Sequence, residues 1–154
     1  MDAIATSAFG RLESWQAMLD GQAEVFAEML PGASVAIVPR AGSGIQPGRR
    51  AAALKAAAGG EMLRWEVVAG GVRADLVPFR GLGDAGVDLL FVAEDEALAR
   101  LREDIGAGTL TLMKRQLRAG DMMFFVMRNK HELQEAGYEE FLDSLGLAFL
   151  GACR

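Results

Sequence analysis

The stretch Leu110–Arg128, LTLMKRQLRAGDMMFFVMR, decides how this chain folds. An amphipathic segment carrying Lys114, Arg115 and Arg118 leads to the turn pair Gly120-Asp121, and large apolar residues then follow without a break from Met122 to Met127. Methionines and phenylalanines massed in this way exceed what a surface element carries. The run is therefore either the middle of the core or the wall of an apolar pocket, and which of the two it is decides what the protein does.

Working outward from that stretch, the polar run RNKHELQE (Arg128–Glu135) reads as a solvated helix, and Tyr138, Phe141, Leu142, Leu145 and Phe149 fall on one helical stripe behind it. On the other side, Thr109 caps a short helix through Met113. Before it, Glu94, Asp95 and Glu96 open a helix whose buried side is Ala97, Leu98 and Leu101, stopped by Gly106 and Gly108. Val87–Val92 reads as a long strand. Met62–Val68 alternates, with Leu63, Trp65 and Val67 on one face and Arg64 and Glu66 on the other; Gly70-Gly71 makes a hairpin turn, and Val72–Val77 returns before Pro78. Val35–Val38 is a short strand closed by Pro39. Leu12, Trp15, Met18, Leu19, Val25, Phe26 and Met29 form one stripe of a leading helix ended by Pro31-Gly32. The predicted class is α+β: a mainly antiparallel sheet of about five strands with helices packed on one face.

The 154 residues make one domain, spanning 1–154, with a glycine- and alanine-rich insertion near 40–60. A net charge of -5 argues against nucleic acid as a main partner, since phosphate binding needs a concentrated basic face. Cys153 is the single cysteine, so an internal disulfide framework is excluded. Leu145–Cys153 is about half the roughly 20 apolar residues a transmembrane helix needs, so no transmembrane segment is expected. The N-terminus lacks a basic-then-apolar pattern, and a cytoplasmic location is expected.

Catalytic chemistry finds little to stand on. His131 is the only histidine, and no serine sits in a nucleophile-elbow motif, so neither a multi-histidine metal site nor a hydrolytic triad is framed. No metal, no cofactor and no enzymatic activity are expected; a hydrolase or transferase using His131 is the remaining enzymatic reading. The loop Gly42-Ser43-Gly44 with Pro47-Gly48-Arg49-Arg50 has the makings of an anion cradle, but it lacks the Gly-Lys-Ser/Thr ending of a P-loop. A connector is the simpler reading of it.

Three stretches resemble the sterol carrier protein type 2 family: WEVVAGGVRADLVP (Trp65–Pro78), VDLLFVAEDEALARL (Val87–Leu101) and LMKRQLRAGDMMFFVMR (Leu112–Arg128). In the last of these, Arg115-Gln116-Leu117 stands where the family has Gly-Lys-Leu. The resemblance implies that Gln116–Arg118 is the last strand and that Asp121 caps a helix starting at Met122, with Met122, Phe125 and Val126 on its inner face. It also implies non-catalytic binding of a lipid or other hydrophobic small molecule in an apolar tunnel lined by Trp65, Phe91, Met113, Leu117, Met122, Phe125, Val126, Phe141 and Leu145. Phe124 and Phe125 are bulkier than the residues the family places there. They introduce the alternative, a cavity-filled protein of the same fold that works through a protein partner, as a homodimer or as an accessory subunit.

Overall fold

A computed structural model describes residues 9–40, 60–81 and 84–147. In chain order the elements are α1 (Leu12–Gly21), α2 (Ala23–Phe26), β1 (Ser34–Pro39), β2 (Glu61–Val68), β3 (Gly71–Pro78), β4 (Leu89–Ala93), α3 (Asp95–Glu103), α4 (Thr109–Ala119), β5 (Met122–Val126), α5 (Lys130–Glu135) and α6 (Glu139–Ser144). The strands form one mixed sheet in the order β3-β2-β1-β4-β5. Only the central pair β1–β4 is parallel; the other neighbours run antiparallel. The α+β class and the mainly antiparallel sheet are as predicted. The insertion near 40–60 lies, but for Arg40 and Gly60, outside the described residues.

β4 is apolar along its whole length and β1 from Val35 onward, as befits strands with both faces covered. One face carries the principal core, where Trp15, Phe26, Trp65, Phe91, Tyr138 and Phe141 interlock with Leu98, Leu101 and Met113 from the helices. The opposite face gathers Ala36, Val38, Met62, Phe79, Leu90, Val92 and Phe125. All the described helices contribute their apolar stripes to the first face. Leucines, valines and aromatic rings fully buried in this way stabilise the fold by roughly 1.5–3 kcal/mol each.

The β2–β3 hairpin follows its alternation. Leu63, Trp65 and Val67 face the helices, while Arg64, Glu66, Arg73 and Asp75 form a cross-strand charge ladder, with Arg64–Asp75 at 3.2 Å and Arg73–Glu66 at 2.8 Å. The positive φ of the turn falls on Gly70 (+92°), and Gly71 already belongs to the returning strand.

The segment Leu110–Arg128 folds differently from the expectation. Gln116–Arg118 is the last turn of α4 rather than a strand, and Met122–Val126 is strand β5 rather than a helix. The reason lies in Gly120, whose φ of +84° ends α4 in a left-handed C-cap: Asp121 N–H donates to Gln116 O at 3.0 Å, and Gly120 N–H to Leu117 O at 3.4 Å. Asp121 is thus spent on terminating one helix and does not begin another, and the chain emerges extended beside β4. The leading helix is likewise shorter than its stripe, breaking at Gln22 into α1 and α2.

Candidate functional site

Most of the predicted tunnel residues do converge, but on one another. Trp65, Phe91, Met113, Met122, Phe141 and Leu145 are all buried in the helix-side core, and Leu117 and Val126 pack against its margin. The rings touch in a chain: Trp65 and Phe141 have centroids 6.4 Å apart, Phe141 and Phe91 6.3 Å, Phe91 and Phe124 6.2 Å, and Phe26 closes on Phe141 at 5.4 Å. Edge-to-face and tilted rings at these separations are in direct packing contact with one another.

Phe125 is the exception and a correction. A strand turns alternate side chains to opposite faces, so Met122, Phe124 and Val126 face the helices while Phe125 joins Leu90 and Val92 on the far side. The helical period assumed for this run had grouped Met122, Phe125 and Val126. Phe124 is the residue the grouping missed, and period-two reading of the same letters would have found it.

Apolar surface remains at the margin of the sheet. A groove of about 420 Å³ runs beside β5 and is lined by Leu117, Arg118, Gly120, Met122, Met123, Phe124 and Leu145–Leu147. Three of the predicted residues, Leu117, Met122 and Leu145, border it. A second depression, of about 570 Å³, separates α1 and α2 from the β2–β3 turn and contains none of the predicted residues.

A tightly bonded polar cluster joins segments far apart in sequence. Tyr138, fully buried at the start of α6, donates its hydroxyl to Asp88 Oδ2 at 2.6 Å and lies 3.1 Å from Ser34 O. Asp88 also accepts from Ser34 N–H at 3.2 Å and from Arg128 Nε at 2.8 Å. Burial, and then the hydrogen bond to the Asp88 carboxylate, push the Tyr138 hydroxyl far above the usual tyrosine range. The same carboxylate raises Arg128, through its hydrogen bond first and its charge second. Every group here is engaged with another, which makes the cluster a clasp between β1, β4, β5 and α6 and leaves no free acid or base. Spacing alone carried no signal for it, because Asp88 and Tyr138 are 50 positions apart.

His131 is exposed and lies 3.3 Å from Glu135. Among the described residues no three His, Cys, Asp or Glu side chains stand together as a metal site, and no helix is long and apolar enough to cross a membrane. Cys153 and the Gly42–Arg50 loop lie outside the described residues. Fold and site thus define an α+β protein with an aromatic core on the helix side of its sheet, a polar clasp and an apolar groove at one sheet edge. No protein-family model, curated protein or solved structure matches the chain.

Proposed function

We propose that the chain is a non-catalytic interaction module, an accessory protein of cavity-filled α+β fold that works in the cytoplasm through contact with another protein chain. The observation that supports this reading is the ring chain from Phe26 through Phe141 and Phe91 to Phe124, in which residues expected to line a tunnel pack against one another. The groove beside β5 is apolar surface that the fold leaves accessible along a strand edge, and strand edges with apolar side chains are natural seats for an added strand.

Binding of a lipid or similar hydrophobe is the second reading, and the groove itself favours it. Its volume of about 420 Å³ lies within the range of small-molecule sites, and Leu117, Met122 and Leu145 border it as that reading requires. Native mass spectrometry of the purified protein separates the two. The module reading expects the bare mass of the polypeptide, alone or in a protein complex. A stoichiometric hydrophobic ligand that extracts into organic solvent would overturn it in favour of the second.

A further inference from the structure

The two edges of the sheet are built in opposite ways. The β3 edge is closed: the carboxamide of Gln16 on α1 donates to Val72 O at 2.7 Å and accepts from Ala74 N–H at 2.8 Å, so one side chain takes the place of a neighbouring peptide group. Arg73, Asp75 and Pro78 further discourage pairing there. β5 carries none of these devices. Its sequence Met122-Met123-Phe124-Phe125-Val126 contains no charge and no proline, and among the described residues no strand pairs with its outer side.

Hydrogen-bond parity fixes what that outer side offers. Met127 N–H donates to Asp88 O at 2.8 Å and Glu94 N–H donates to Asp121 O at 3.0 Å, which brackets the β4–β5 ladder. Antiparallel bonds alternate along a strand, so odd-numbered residues of β5 turn their backbone groups to β4 and Met122, Phe124 and Val126 turn theirs outward.

The geometry points to a second copy of this chain as the occupant of the β5 edge, paired antiparallel about a two-fold axis at Phe124. In that register Met122 lies opposite Val126 of the second copy and Phe124 opposite its own equivalent, so every outward-facing residue meets another outward-facing residue. The pairing forms about six backbone hydrogen bonds and keeps the helix-bearing faces of the two sheets on the same side. The strand's ends favour that direction: Asp121 precedes it and Arg128, already bonded to Asp88 of its own chain, follows it, so antiparallel copies place the acid of each towards the base of the other, whereas parallel copies set like beside like. The inference rests on the interaction-module reading and names its partner. A strand this short gives a reversible dimer in the micromolar range or weaker, since the area covered falls at the low end for protein interfaces.

The test uses the full chain. Sedimentation velocity from about 1 μM to about 500 μM should show a concentration-dependent dimer, and the amides of Phe124 and Val126 should gain protection from hydrogen exchange over the same range. Val126→Pro removes an outward N–H that β4 does not use, so it should weaken association at least about tenfold while leaving the far-ultraviolet circular dichroism unchanged. Should that variant fail to fold, Met123→Lys, which places a charge on the edge, serves the same purpose. A chain monomeric throughout, with amide exchange independent of concentration, overturns the proposal. So does a monomer whose β5 amides are protected at every concentration until residues 148–154 are deleted, which would make the chain's own C-terminal residues the occupant. A monomer whose β5 amides become protected only on adding an unrelated apolar strand peptide removes the second copy and leaves the module reading standing, whereas a bound hydrophobe in native mass spectrometry removes the module reading itself.

Discussion

Tyr138 is the only tyrosine in the chain, so its ionisation can be followed without interference at the tyrosinate absorbance near 295 nm. In the folded protein its hydroxyl is fully buried and donates to the Asp88 carboxylate; burial is the larger cause and that bond the second in raising its pKa far above the ordinary value near 10. In the unfolded chain the same group titrates at about 10. Above that pH the unfolded state sheds a proton that the folded state keeps, so stability is fully present below pH 10 and falls as pH rises. The slope is about 1.4 kcal/mol per pH unit, hence ~2.7 kcal/mol lost by pH 12, a sizeable share of the 5–15 kcal/mol typical of a domain. The tyrosinate signal should therefore stay silent through pH 10 and appear together with the loss of circular dichroism as the chain unfolds. In Tyr138→Phe that tyrosine-linked slope should vanish, at the expense of about 1.5–3 kcal/mol at neutral pH for a hydrogen bond to a charged group. An absorbance rise with midpoint near 10 and an unaltered dichroism spectrum would refute the reasoning, since it would require a phenolate to form freely in the clasp.

Three further perturbations probe other parts of the argument. Phe141→Ala removes the ring that touches Phe26, Trp65, Phe91 and Tyr138, and should cost about 3–5 kcal/mol in urea unfolding; a loss below about 1 kcal/mol would mean that the rings border open space. Gly137→Ala should be at least as damaging by the same assay, because the residue sits at φ +85° and its new Cβ would collide with the Glu28 carbonyl; a near-neutral effect would show that the α2–α5 approach is looser than described. Gln16→Ala strips Val72 O and Ala74 N–H of their partner at the β3 edge, and should cost about 1–3 kcal/mol and raise light scattering on heating. Unchanged melting and scattering would remove Gln16 as an edge guard.

The hairpin β2–β3, the α3 start and the one-sided placement of the helices were legible in the sequence because local period and turn chemistry set them. Leu63, Trp65 and Val67 alternate with Arg64 and Glu66, and the Gly70 turn needs a positive φ that few other residues adopt. The apolar run at Met122–Met127 carried no such signal. Six large apolar residues satisfy a helical and a strand period equally, so their letters fixed that the segment is buried and left open which side chains share a face. Tertiary structure settled it: the left-handed turn at Gly120 ejects the chain from α4, and the β4 ladder pairs Leu90 with Phe125 and Phe91 with Phe124. Contacts bridging long sequence separations, such as Tyr138 with Asp88 and Gln16 with β3, were equally beyond local pattern, because only the folded sheet brings those groups within hydrogen-bond distance. The sequence by itself determined which residues form the core; the three-dimensional pairing decided which of their side chains share a face and that β5 is the outermost of the described strands on its side of the sheet.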